Sequence, residues 1–166
     1  MEMIFLNQVK AIAISEADLD RIYEICLSNP DYYRHMNEEL SKEKLKKLMI
    51  ALPPEADLKH KKNIGFILDE MLIGYLEMVE SYPDEKTALI GFFVLDASLQ
   101  GKGTGSLIID NIANDLKEKG FKSIILSCAS TNKASLSFWE KNDFFKAEDN
   151  EVYDDIELVI MEKNLE

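Results

Sequence analysis

The stretch from Val94 to Ser106 reads VLDASLQGKGTGS, and it contains more chemistry per residue than any other part of the chain. Gly101, Gly103 and Gly105 remove side chains where a chain must turn tightly and where a ligand must approach the backbone. The apolar run before them ends a strand, and the amphipathic run after them starts a helix. The first turn of such a helix carries free N–H groups and the positive end of the helix dipole, which together favour phosphate. No acidic side chain follows until Asp110, and Lys102 adds a positive charge. Gln100, Gly101, Lys102, Gly103, Thr104, Gly105 and Ser106 thus form a candidate pyrophosphate cradle. A P-loop is excluded, because Lys102 precedes the last glycines instead of following them. A dinucleotide fingerprint is half matched, but the next strand ends in Ser127-Cys128-Ala129-Ser130 without the acid that would hold a ribose. A glycine-rich turn with no ligand is the bland alternative.

The elements around this loop follow from apolar spacing. Residues 4–14 alternate loosely and are expected to form a first strand, including Ile4–Leu6 and Val9–Ile14. Ser15 is an N-cap candidate with Asp18 three residues on, opening a helix with Leu19, Ile22, Ile25 and Cys26 on one stripe and a stop at Asn29-Pro30. A second helical region is expected over Tyr33–Leu52, with Ser41 as an internal cap and Pro53-Pro54 as its end. Ile64–Leu68, Leu72–Glu80 and Ala88–Leu95 predict an antiparallel meander, with turns at Asp69-Glu70 and Tyr82–Glu85. The helix Thr104–Lys119, closed by Gly120, leads to a strand at Ile124–Cys128, so that strand should lie parallel to Ala88–Leu95. A short helix at Ala134–Lys141 and a hairpin of Phe144–Lys146 with Val152–Met161 close the chain.

The sum is an α/β fold: one domain over residues 1–166, with a mixed sheet of about six or seven strands. Most of these are antiparallel around a central parallel pair, and about four helices flank them.

Composition narrows the function. The chain has 166 residues, 46% of them hydrophobic and 30% charged, in the range of an ordinary globular protein. Its net charge of −12 argues against nucleic acid and leaves room for a cationic small molecule. The lysines at 42, 44, 46, 47, 59, 61 and 62 are expected on solvated faces or against a nucleotide's phosphates. No apolar run approaches the roughly 18 residues of a spanning helix, and the first residues lack the basic segment of a secretory leader. Cys26 and Cys128 are far apart within apolar patterns, so a reducing, cytoplasmic location is expected, with no membrane contact and no metal. Met36, Met49 and Met71 read as core filler, and Cys128 as a residue buried in its strand.

The residues Gln100–Gly105 resemble the Q/R-x-x-G-x-G/A signature of the GNAT acetyltransferases. The segment Asn132–Phe144 resembles that family's N-x-x-A-x-x-x-Y-x-K-x-G-F segment, with Asn132, Ser135, Trp139, Lys141, Asp143 and Phe144 at the corresponding places. The order of elements matches too, so the resemblance covers nearly the whole chain. It implies acetyl-CoA as cosubstrate, with the pyrophosphate on the cradle and further contacts from Asn132, Ser135 and Trp139. It also implies direct transfer to the primary amine of a small molecule or peptide, by a monomer or homodimer. Backbone amides around Val94 and Leu95 would hold the thioester carbonyl. Tyr32, Tyr33, Arg34 and His35, with Tyr75, are candidate acceptor residues.

Two departures from the family matter. The tyrosine that usually protonates the leaving thiolate is here Trp139, whose indole N–H has no usable acidity. Water or the hydroxyl of Ser135 or Ser137 would serve instead. The usual strand glutamate falls on Phe92, which takes no proton. Glu77 and Glu80 on the neighbouring strand are the candidate bases, and a one-residue shift in register decides which one shares the Phe92 face. Glu77 is preferred, because Leu76 and Met78 flank it and an apolar setting raises a carboxylate pKa. A non-catalytic acyl-CoA-binding module is the alternative function. Asp143 stands where the family has glycine, which points to a non-glycine left-handed residue or to a slightly different turn.

Overall fold

The computed structural model describes the backbone of residues 2–4 and 8–166, with side chains from residue 8 onward. Strands β1 (Glu2–Ile4) and β2 (Lys10–Ala13) pair antiparallel, so the expected single first strand is two. Leu6 lies outside the described residues. A capping box joins Ser15 to Asp18 before α1 (Leu19–Leu27). The second helical region divides into α2 (Pro30–His35) and α3 (Lys42–Leu48). Ser41 caps α3 by accepting from the Lys44 amide at 3.1 Å.

The meander follows as β3 (Lys61–Leu68), β4 (Met71–Val79) and β5 (Thr87–Leu95). Its first turn puts Asp69 and Glu70 at positive φ, a pattern that suits the twist of paired strands. Helix α4 (Thr104–Glu118), strand β6 (Ser123–Ala129) and helix α5 (Lys133–Lys141) come next. Asp143 has φ 67°, the left-handed one of the two alternatives. The last segment differs from a single hairpin. The short β7 (Phe145–Lys146) comes first; Asp154 and Asp155 then turn at positive φ and split the rest into β8 (Glu151–Tyr153) and β9 (Ile156–Asn164). Strand β9 inserts between β6 and β7, and β8 also pairs with β9.

The described residues thus form one nine-stranded sheet in the order β1-β2-β3-β4-β5-β6-β9-β7 with β8 on β9, antiparallel everywhere except β5–β6. That is more strands than expected, because the two end segments each break in two. Two cores cover its two faces. Ile108, Ile109, Ile112 and Leu116 of α4 pack on one, and Ile22, Ile25, Leu45 and Met49 of α1 and α3 with its edge pack on the other. Met71 belongs to neither: it is 57% exposed, at the first position of β4 beside the turn.

Candidate active site

The parallel pair is where the sheet opens. β5 and β6 are in register only at Thr87↔Ser123, Ala88↔Ile124 and Leu89↔Ile125, although β5 runs on to Leu95 and β6 to Ala129. Beyond Leu89 the strands part. Antiparallel backbone groups alternate direction, and the Asp96 amide donates to the Ile73 carbonyl of β4 at 2.8 Å. Counting back by twos, Val94 and Phe92 face β4, whereas Phe93 and Leu95 face the gap. The amide expected at Val94 is therefore committed to the sheet, and Phe93 presents the free one. Leu95 agrees with this direction, since its carbonyl accepts from the side-chain amides of Asn29 and Gln100, both at 2.9 Å. Gln100 also donates to Asn29 Oδ1 at 2.6 Å, so its side chain braces the mouth of the gap against the α1–α2 junction.

The cradle stands at that mouth. Gly101 (φ 75°) and Gly103 (φ 84°) adopt left-handed backbone, and a Cβ at either would point into open space. Gly103 is the N-cap of α4 without any side-chain cap, and the first turn holds no acid, so its amides are free. Gly105 has a different reason: a Cβ there would lie 3.1 Å from the Phe138 ring of α5. The cradle, the gap and α5 enclose a cleft of about 800 Å³, which Gln100, Gly103, Asn132, Ser135 and Trp139 help to line. Lys141 borders it as well. Asn132, buried and capping α5, accepts from the Ser135 amide at 3.2 Å.

Trp139 is 8% exposed and packs against Phe93, Phe138 and Phe144 with ring centroids 5.0–6.1 Å apart. A smaller cavity of about 130 Å³ fills the apex of the gap, lined in part by Tyr32, Gly91, Phe92, Cys128 and Trp139. Cys128 is buried in its strand as expected, yet it borders this cavity, and burial pushes its thiol pKa up to about 11.

The acceptor candidates divide. Tyr32 lines both cavities and meets Phe92 edge-on at 5.2 Å, and burial pushes its hydroxyl pKa up. Tyr33 and His35 line the larger cleft, where His35 Nδ1 meets Thr131 Oγ1 at 2.8 Å. Arg34 turns outward to Asp31 at 2.8 Å, with 71% of its side chain exposed. Tyr75 is fully buried, and its hydroxyl donates to Asn63 Oδ1 at 2.6 Å, so it meets no acceptor.

The register pairs Glu77 directly with Phe92, so Glu77 shares its face. A bulge follows, because β5 spends Gly91 as an extra residue between Phe92 and Ile90. A Cβ at Gly91 would overlap Glu77 Oε2. Glu77 itself lies behind Gly91 and borders neither cavity. Its Oε1 is ion-paired with Lys61, whose side chain is only 3% exposed, against the expected solvated face. Burial raises the Glu77 pKa, while the Lys61 hydrogen bond and charge work against that rise. Glu80 sits at the C-terminal end of α4, 3.6 Å from Lys119. The length of that helix, about 20 Å, separates it from the cradle. Sequence reasoning missed Lys61 and Asn29. Lys61 stands among other lysines, and only its odd-residue alternation with Asn63 on β3 hints at an inward side chain.

The sequence model of the acetyltransferase (GNAT) family matches residues 22–144. The chain belongs to that family. Among solved structures, it is similar to an acetyltransferase from Thermus thermophilus (16% identity, 99% of each chain covered, TM-score 0.73). It is also similar to the PaiA N-acetyltransferase from Thermoplasma acidophilum in complex with coenzyme A (22% identity, 95% of this chain and 99% of that one, TM-score 0.68). A third is the ribosomal-protein-S18-alanine N-acetyltransferase from Escherichia coli (15% identity, 95% and 94%, TM-score 0.67). No curated protein sequence matches the chain.

Proposed function

We propose that this protein transfers the acetyl group of acetyl-CoA to a primary amine by direct attack in a ternary complex. The observation that carries the reading is a cleft with an uncapped, glycine-built helix N-terminus at its mouth and, further in, the strand amides that face the gap between β5 and β6. The amides of Thr104, Gly105 and Ser106 fit a pyrophosphate. Those of Phe93 and Leu95 fit a pantetheine arm and the thioester oxygen, whose developing negative charge they would stabilise. Asn132 and Ser135 border the arm from the other side.

The amine must lose a proton before it attacks. Glu77 is the base of choice, acting through a water at Gly91, because its carboxylate lies directly beneath the floor of the inner cavity. Attack forms the C–N bond, and the tetrahedral centre collapses by breaking C–S. The thiolate then takes a proton from solvent, directly or relayed through the Ser135 hydroxyl, which regains its own from water, a modest demand for a group whose pKa is near ~8.5. Trp139 packs and does not donate. The relative that coenzyme A occupies and the relative named for an alanine amine support this reading of cosubstrate and acceptor.

The second reading, a binding module without catalysis, draws on the ion pair that already occupies Glu77. Acetyl-CoA should raise the melting temperature under either reading, by mass action on the native state. Release of free thiol in the presence of a panel of primary amines separates them. Thiol release with at least one amine supports transfer; a clear thermal shift with no turnover across mono-, poly- and peptide amines supports the binding module.

A further inference from the structure

The Lys61–Glu77 pair has a geometry that a purely structural ion pair does not need. Lys61 Nζ holds Glu77 Oε1 and also donates to the Ala51 carbonyl at 2.7 Å, so it is anchored to the segment after α3. Glu77 Oε2 has no hydrogen-bond partner among the described residues. The one sealed side-chain polar atom lacking a partner among those residues is Asn150 Oδ1, so Oε2 retains contact with solvent-sized space. It lies where a Gly91 side chain would be, and Gly91 is exposed and lines the inner cavity. A bulge that places glycine, and no larger residue, opposite a buried carboxylate leaves that carboxylate one backbone thickness from the inner cavity.

We propose that Lys61 is a positioning residue: it clamps one oxygen of Glu77 so that the other is presented to the thioester cavity through the gap at Gly91. This rests on Glu77 as the base. The groups facing the Glu77 carboxylate are few. Lys61 comes from β3, Tyr75 from β4 and Tyr32 from α2, while β5 contributes Gly91 and Phe92, which do not titrate. Lys61 is the cation among them, and its hydrogen bond and charge oppose the rise in pKa that burial imposes on Glu77. The clamp therefore does two jobs, holding orientation and favouring the charged form.

The test uses the full chain with its glutamate carboxyls labelled with carbon-13 and Glu77 assigned by Glu77→Gln. In the wild type, saturating acetyl-CoA should shift the Glu77 carboxyl resonance, because Oε2 lies just beneath the occupied cavity. In Lys61→Met its titration midpoint should rise by roughly one pH unit or more. The acidic limb of kcat/KM should move to higher pH by the same amount, and Lys61→Arg should bring both back toward wild type. Lys61→Met leaves an unpaired buried charge, so it is examined at mildly acidic pH as well, where a protonated Glu77 restores the fold. Gly91→Ala should lower turnover as Glu77→Gln does, while acetyl-CoA affinity stays within about threefold.

A Glu77 resonance indifferent to acetyl-CoA, or a midpoint unchanged in Lys61→Met, overturns the role of Lys61. Wild-type turnover at every pH in Glu77→Gln overturns the base assignment itself, which is a separate outcome.

Discussion

The cradle and the Glu77 floor serve the same cleft, yet they are made of different materials. At the outer end the proposed working groups are backbone amides, and the side chains matter chiefly by being absent: Gly101 and Gly103 stand in left-handed backbone with open space around them. At the inner end the proposed working group is a carboxylate, and it owes its place to a bulge, a lysine from another strand and the carbonyl of Ala51. A backbone site depends on local chain geometry. A buried side-chain site depends on how distant strands align. The first should therefore fail through charge or shape at one residue, and the second through any partner that shifts the carboxylate.

The sharpest way to break the outer site is to place a charge in it. Gly103→Asp and Gly103→Asn both accept left-handed backbone better than other residues, so the two variants should fold alike. Only the aspartate sets a carboxylate against the pyrophosphate, and it should weaken CoA binding by roughly 10²-fold relative to asparagine. Calorimetry on the pair measures that ratio.

At the inner site, Glu77→Gln should lower turnover by up to about 10²-fold, with acetyl-CoA affinity unchanged. Raising the pH should rescue it in part, because more acceptor arrives as free amine. A raised KM with normal kcat would instead mark Glu77 as a binder of the acceptor's charge.

Between the two ends, Asn29→Ala removes bonds to the carbonyls of Ile25 and Leu95 and to Gln100. It should cost about 2 kcal/mol in urea unfolding and weaken the cofactor-dependent thermal shift. Trp139→Phe should leave turnover within about threefold, since loss of a general acid would cost about 10²-fold. The smallest effect belongs to Asp96. Hydrogen bonds from the Ser98 hydroxyl and amide, then Arg21, hold its carboxyl below the usual range. Its stabilisation is therefore present above the unfolded carboxylate pKa of about 3.9 and is lost as pH falls toward the folded value. The melting-temperature gap between wild type and Asp96→Asn should accordingly narrow from about pH 6 to about pH 3.

The same contrast explains what was legible in the sequence. Capping at Ser15 and Ser41 and the glycine loop are written in neighbouring residues, and each stands where the spacing puts it, whereas α3 ends at Leu48, before the stop expected at Pro53-Pro54. Asp154-Asp155 is also local, but it sits inside an apolar run whose pattern hides the turn between β8 and β9. Lys61 is a different case. Only its alternation with Asn63 hints at a difference from Lys59, which is 70% exposed, because its partner comes from across the β3–β4 ladder. Strand membership alone points Tyr75 toward the acceptor, whereas its hydroxyl is taken up by Asn63 from the same ladder. The Val94 amide shows how fine the limit is: a single step in alternation separates it from Phe93.

The parting of β5 from β6 has one more consequence. A sheet whose interior strands lose their partner midway carries two raw edges inside the molecule, each a template for a stray strand. The pantetheine arm would lie there like a short surrogate strand and cover both edges at once. The empty protein should thus be the more sticky form, clouding on gentle heating at a temperature where the acetyl-CoA complex stays clear, and the amides of Phe93 and Leu95 should exchange with deuterium quickly until the arm shields them.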